Sequence, residues 1–207
     1  LGSRSNKKEI LSALKNKKMN FTDYREKIYA KTAELISEGK IIGWYQGATE
    51  FGPRALGNRS ILCKPFPEKM RDHINKNVKF REYFRPFAPS VLEEDLHDYF
   101  TINQSSPHML IACSVKKDKK ASIPATVHVD NTCRAQSVSK NLNPKFWNLI
   151  NEFKKITGIP VLLNTSFNIK GQPIVNNPQD AIDCFKKYRI DYLVMDSILV
   201  KKNKLSK

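Results

Sequence analysis

Apolar residues along this chain recur in two rhythms, one spaced for helices and one for strands, with turn-forming residues between them. The clearest helical stretch is 143–157, where Phe146, Leu149, Ile150 and Phe153 share a face. There Asn143 offers an N-cap, Pro144 suits the first turn, and Gly158 ends the run. A second helix is expected over 22–38, capped by Thr22 or Asp23, with Tyr24, Ile28, Leu35 and Ile36 apolar and Gly39 as its stop. Two more are expected over 67–75 and 178–188. Strands are expected at 41–45, 60–63, 88–92, 108–115, 125–129, 134–138, 161–163 and 192–200, with 116–120 as a hairpin turn. Helices and strands alternate, so the fold class is α/β or α+β around a mixed sheet. No internal repeat is visible.

The 207 residues are 40% hydrophobic, enough for one substantial core or two small ones. With 27% charged residues and no Pro/Gly-dominated stretch, the chain is neither disordered nor fibrous. It has no run of about 18 apolar residues and no signal-like start, so no membrane contact is expected and the location is read as cytoplasmic. Cys63, Cys113, Cys133 and Cys184 lie far apart without a C-x-x-C pair, which fits neither a zinc site nor a dense disulfide framework, and they read as bystander thiols. The formal net charge of +16 invites a nucleic-acid reading. Its distribution argues against that: residues 1–18 hold +5, residues 116–120 hold +3 and the lysines at 201, 202, 204 and 207 hold +4, leaving only +4 elsewhere. Cations gathered at the ends and in a turn are usually solvated, and no basic motif interleaved with aromatics is present. The chain does not start with Met, and a missing partner domain is expected.

Four stretches combine turn chemistry with polar or basic side chains, the usual setting of a ligand site. In 50–60, two glycines and a proline shape the backbone around Arg54 and Arg59, and arginine's planar fork suits phosphate; the alternative is a tight loop whose arginines pair with carboxylates such as Glu50. In 79–90, an extended backbone would put Lys79, Arg81 and Arg85 on one face, and the alternative is an exposed basic edge. In 128–134, the same alternation would align His128, Asp130, Thr132 and Arg134; two ligands at this spacing are weak grounds for a metal, and a hydrogen-bonded histidine near a turn is favoured. In 163–175, a short apolar strand ends in Asn164, Thr165 and Ser166, like the ligand edge of an α/β sheet, or simply a polar turn. No nucleophile-and-base pattern, Walker loop or G-x-G-x-x-G occurs, so the residues favour electrostatic catalysis at phosphate over hydrolase or P-loop chemistry.

At these four stretches the chain resembles the C-terminal domain of the NodU/CmcH/TobZ O-carbamoyltransferase family. The similar text is GWYQGATEFGPRALGNRSIL (43–62), KFREYFRPFAPSVL (79–92), PATVHVDNTCRAQSV (124–138) and TGIPVLLNTSFNIKGQPIV (157–175). The resemblance implies a YrdC-like, open twisted mixed sheet over 21–207, preceded by a basic lead-in at 1–20 that is similar to the family segment entering this domain. It implies an enzyme that makes carbamoyl-adenylate from carbamoyl phosphate and ATP with Mg²⁺, with Lys79, Arg85 and Ser166 in catalytic roles. Arg54, Arg134, Asn164, His128 and Asp130 are implied as further substrate-binding positions, with His128 and Asp130 near a nucleotide or Mg²⁺. A separate N-terminal domain of the ASKHA type, carrying its own metal ion and absent from this chain, is implied to pass the carbamoyl group to a hydroxyl acceptor. Asn131 and Gln172 depart from the Gly and Glu common at those positions, and neither change removes a cation. The alternatives are a YrdC-type threonylcarbamoyl-adenylate synthase, using threonine and bicarbonate, and a basic RNA-binding module.

Overall fold

The computed structural model describes residues 2–202. In chain order the elements are α1 (Lys7–Asn16), β1 (Asn20–Asp23), α2 (Ile28–Ser37), β2 (Ile42–Tyr45), β3 (Arg59–Cys63), α3 (Lys69–Ile74) and β4 (Ala88–Leu92). There follow α4 (Leu96–Tyr99), β5 (Phe100–Thr101), β6 (Cys113–Val115), β7 (Thr132–Cys133), β8 (Gln136–Val138), α5 (Pro144–Thr157), β9 (Val161–Ser166), α6 (Pro178–Lys187), β10 (Tyr192–Met195) and β11 (Ile198–Lys201). Eight strands form one mixed sheet in the order β1-β11-β10-β2-β3-β9-β4-β8, in which β2/β10 and β4/β8 are parallel pairs. The strands β5-β6-β7 make a small second sheet. This is the α/β class expected from the alternation of helices and strands.

Strand alternation decides which helices cover which face. Tyr45, Ile61, Cys63, Leu163 and Leu193 point to a core completed by Ile10 and Leu14 of α1 and by Ile182 and Phe185 of α6. Trp44, Leu62, Leu162 and Val194 point the other way, against Ile36 of α2 and Phe146, Leu149, Ile150 and Phe153 of α5. With both faces covered, β2 and β3 are buried along their whole length.

Several expectations need correction. The helix expected from residue 22 starts at Ile28, because Asn20–Asp23 pairs with Ile198–Lys201 and a short turn precedes the helix. Residues 125–129 are not a strand; a 3-10 turn at Pro124–Thr126 leads into an irregular loop, and β6 pairs instead with Phe100–Thr101 and Thr132–Cys133. The closing strand 192–200 is a hairpin, broken where Asp196 takes a positive φ of 55°, a conformation aspartate tolerates. Within the lead-in, Lys7–Asn16 is a helix docked on the core through Ile10 and Leu14, which are 2% and 0% exposed. The helices over 143–157 and 178–188 form as expected, with Asn143 capping the first and Gly158 closing it in the left-handed conformation.

A capping box starts α1: Asn6 accepts from the Glu9 N–H at 3.0 Å, and the Asn6 N–H donates to Glu9 at 2.8 Å. Replacing Asn6 with Ala should lower stability by about 1 kcal/mol in urea unfolding. A change below the error of the fit would mean that core docking alone sets the helix start.

Candidate functional site

The chemistry-bearing stretches meet where β9 leaves the centre of the sheet. Asn164, at the middle of that strand, faces Ala88 on one side and Leu62 on the other. Beyond Ser166 the chain turns, and the buried side chain of Lys79, only 4% exposed, reaches across to it. The Lys79 ammonium donates to Ser166 O at 2.9 Å and Ser166 Oγ at 3.2 Å, and to the backbone and side-chain oxygens of Asn168, both at 2.8 Å. Ser166 Oγ in turn donates to Asn168 Oδ1 at 2.6 Å. Burial, reinforced by Arg81, lowers the Lys79 pKa to about 7.

The backbone that delivers Lys79 is not extended, contrary to the expectation for 79–85. Helix α3 runs on into a π-type turn, Asn75–Lys79, and Phe80 then takes φ 49°. A fully buried Asn75 organises the loop after this turn: its amide donates to Tyr83 O and Arg85 O, both at 3.0 Å, and its oxygen accepts from Arg81 Nε at 2.7 Å. The cations converge all the same. Lys79, Arg81, Arg85 and Ser166 line one recess of about 250 Å³ with Asn168 and Lys170. Burial and Arg85 lower the Arg81 pKa to about 10, and Arg85 pairs with Glu82 at 2.8 Å. Like charges held this close are costly unless an anion joins them.

A second recess of about 260 Å³ lies across the 86–88 segment, lined by Phe87, His128, Asp130, Thr132, Cys133 and Arg134. Arg81 links the two, its guanidinium stacked 4.6 Å from the centre of the Phe87 ring. The alternation expected for 128–134 is broken by a turn with Asn131 at φ 67°, yet the turn itself keeps the named side chains together. Asp130 Oδ1 accepts from Thr132 N and Oγ1 at 2.9 and 2.7 Å and lies 3.3 Å from His128 Nδ1. The Thr132 bonds, helped by His128, lower the Asp130 pKa. Among the described residues no group of three His, Cys, Asp or Glu is placed to hold a metal ion.

Arg54 stands half-buried on the loop between β2 and β3, its pKa lowered by burial and by the charge of Arg134. Sequence spacing left open whether both arginines of this loop bind ligand or pair with Glu50, and the structure separates them. Arg59 is fully buried, donates to the carbonyls of Gln46, Gly47 and Asn58, and stacks 3.6 Å from the Tyr45 ring centre, so it is structural. Glu50 pairs with neither guanidinium. One of its oxygens accepts the N–H groups of Leu56, Asn58 and Arg59 at 2.8, 2.7 and 2.9 Å, which fixes the loop from within. Glu50→Gln keeps an acceptor but loses its charge. Charged hydrogen bonds are the stronger class, so we expect a loss of about 1–2 kcal/mol in urea unfolding.

Asn164 is placed differently from Ser166. It is 2% exposed and lies beneath the Arg54 loop, donating to Ala55 O at 3.2 Å, Ser90 Oγ at 3.0 Å and Gln136 Oε1 at 3.1 Å. Gln136 also donates to Leu56 O at 2.9 Å. Asn164 and Gln136 thus hold the loop from below. Sequence reasoning missed Asn75, Asn168 and Gln136 as parts of this site and read Glu50 only as a partner for arginine; Asn168 had a signal, two residues beyond Ser166 at the end of an apolar strand.

The four segments that meet here belong to a known domain. A family model described as "Carbamoyltransferase C-terminus" matches residues 33–202. The chain belongs to that family. It is 48% identical over 182 residues to the nodulation protein NolNO of Sinorhizobium fredii (strain NBRC 101917 / NGR234), covering 86% of this chain and 27% of that protein. The chain therefore spans about a quarter of that relative's length. In fold it is similar to full-length HypF in its phosphate- and nucleotide-bound form (TM-score 0.58, 15% identity, 81% of this chain and 24% of HypF). It is also similar to YciO of E. coli (TM-score 0.56, 14% identity, 83% of this chain and 78% of YciO). The YrdC-like architecture implied by the sequence resemblance is thus the one this carbamoyltransferase C-terminal chain has.

Proposed function

We propose that this carbamoyltransferase-family domain activates the carbamoyl group, making carbamoyl-adenylate from carbamoyl phosphate and ATP for transfer to a hydroxyl. The observation that carries the reading is the pair of adjoining cationic recesses, with Lys79, Arg81 and Arg85 in one and Arg134 in the other, linked through Arg81 and Phe87. Two phosphate-bearing substrates need two such places side by side. Lys79 and Arg85 hold carbamoyl phosphate, while Arg54 and Arg134 hold the phosphates of ATP. Water cleaves carbamoyl phosphate to carbamate and phosphate. A carbamate oxygen then attacks the α-phosphorus of ATP, the bond to the bridging oxygen breaks, and pyrophosphate leaves. Ser166, fixed by Lys79 and Asn168, orients the carbamoyl group. The cations neutralise charge on both phosphates and on the departing pyrophosphate.

Mg²⁺ would enter with ATP. The residues fit it modestly: Asp130, beside His128 in the Arg134 recess, is a hard oxygen donor with a lowered pKa. HypF binds phosphate and nucleotide in a structure of the same fold, which supports the substrate class. The transfer to the hydroxyl falls to a separate domain, a reading supported by the chain's covering only 27% of NolNO.

The test is pyrophosphate release from Mg²⁺ and ATP by the full-length protein, with and without carbamoyl phosphate. Release that requires carbamoyl phosphate is expected. Release that instead requires threonine and bicarbonate would overturn the reading in favour of threonylcarbamoyl-adenylate synthesis. Binding of RNA with a steep salt dependence and no pyrophosphate release would favour a nucleic-acid module.

A further inference from the structure

Spacing alone treats the four cysteines as bystanders, but the fold pairs two of them. Cys113 and Cys133 are directly opposed on the antiparallel strands β6 and β7, and their sulfurs lie 3.8 Å apart. Residues opposed in this way have Cα atoms about 4.5–5.5 Å apart, inside the roughly 4.4–6.8 Å that a disulfide spans. Both side chains are 6% exposed, and Cys133 lines the recess that holds His128, Asp130 and Arg134. We propose that Cys113 and Cys133 form a modification site that closes to a disulfide by exchange with a small disulfide such as oxidised glutathione, and that closure distorts the Arg134 recess.

The two thiols act as a pair. Their shared contact, in which either sulfur can donate, lowers the pKa of one thiol of the pair and raises that of the other. Either can attack as the thiolate while the other resolves the mixed disulfide, and Cys133 is the one that lines the recess. The attacking sulfur takes one sulfur of the small disulfide, whose S–S bond breaks and releases one thiolate. The second cysteine sulfur attacks the mixed disulfide, forms the Cys113–Cys133 bond and expels the second thiolate. Two protons pass from the cysteines to the released thiolates, and the two cysteines are oxidised as the small disulfide is reduced to two thiols. Cys63 and Cys184 have no such sulfur contact among the described residues, and burial raises the Cys184 pKa to about 11 and the Cys63 pKa well above its ordinary value.

Closure must draw the sulfurs from 3.8 Å to about 2.05 Å. Strand β7 has two residues, so little ladder resists its movement, and Thr132 and Arg134 flank the cysteine that moves. Because Cys133 lines the recess, a molecule seated there also shields the pair. The effect on catalysis rests on the proposed carbamoyl activation; the modification site itself does not.

The experiment incubates the full-length protein with graded ratios of oxidised to reduced glutathione, alkylates the remaining thiols and maps peptides by mass. A Cys113–Cys133 disulfide is expected in the wild type, formed more slowly with ATP present, and absent in Cys113→Ser. Carbamoyl phosphate-dependent pyrophosphate release should fall ~10-fold or more on oxidation, recover with dithiothreitol, and stay unresponsive in Cys113→Ser, since a misplacement near 1 Å at a site can cost ~10²-fold. Absence of the disulfide at every ratio, or oxidation confined to Cys63 or Cys184, overturns the site. A disulfide that leaves ATP binding and release unchanged overturns the distortion. If the reduced protein releases no pyrophosphate, the activation reading fails, while peptide mapping and ATP binding still decide the proposal.

Discussion

Replacing Lys79 with Ala is expected to lower kcat/KM for carbamoyl phosphate by roughly 10²–10³-fold, measured as pyrophosphate release by the full-length protein. Lys79 brings a nearly dry positive charge to the recess, where electrostatic interactions are far stronger than in water. It also ties Ser166 to Asn168, so its loss removes a charge and frees the group that orients the carbamoyl. Arginine should not rescue, because a planar fork cannot reproduce the compact contact of one nitrogen with four oxygens. Undiminished kcat/KM in the Ala variant would remove Lys79 from the reaction.

The same residue sets opposite pH trends for activity and stability. With its pKa near 7, Lys79 loses its charge as pH rises, so kcat/KM for carbamoyl phosphate should fall as pH rises through about 7. Its folded pKa lies below the ordinary 10.5, so between the two values the unfolded chain binds more protons than the folded one. The cost of its buried charge is therefore absent above 10.5 and grows as pH falls towards about 7, so stability falls over that window. Four oxygens around the ammonium resist its deprotonation, and a bound phosphate would resist it further, so carbamoyl phosphate should move the activity limb to higher pH. Lys79→Met should flatten the stability trend between pH 7 and 10.5.

Local rules read the helices and central strands of this chain well and its site backbone poorly, for physical reasons. Helix α5 carries its cap, its stop and its apolar stripe within one segment, so its limits need no tertiary information. Asn20–Asp23 reads as a helix start because Thr22 and Asp23 are good caps, yet pairing with β11 on the sheet edge outweighs that preference. The extended reading of 79–85 failed because Asn75, several residues upstream, holds the loop through three hydrogen bonds that no periodicity reports. The cations still converge, since the positions of Lys79 and Ser166 are fixed by the elements that precede them. The Cys113–Cys133 pair was illegible because the residues are twenty apart and meet only through strands two and three residues long.

Gly57→Ala should be the most damaging single-methyl change in the site, at roughly 3 kcal/mol or more of stability. Gly57 sits at φ 98°, a conformation that costs an L-residue about 1–3 kcal/mol. A Cβ there would lie 2.1 Å from Phe146 Cδ1 and 2.5 Å from Cγ. Phe146 is fully buried in the core of α5 and cannot simply swing aside, so overpacking adds about 1–3 kcal/mol. Two further bonds hold this glycine: its N–H donates to Ser60 Oγ at 3.1 Å and its carbonyl accepts from Trp44 Nε1 at 2.9 Å. The loop therefore has no cheap way to move, and any shift displaces Arg54 three residues earlier, so ATP binding should weaken along with stability. A double-mutant cycle separates the two costs. Phe146→Ala alone should cost about 3–5 kcal/mol. Combined with Gly57→Ala it should cost less than the sum of the two, because the truncated ring relieves the clash but leaves the backbone strain. Strict additivity in urea unfolding would show that conformation alone demands glycine here, and a Gly57→Ala variant within about 0.5 kcal/mol of wild type would overturn both arguments.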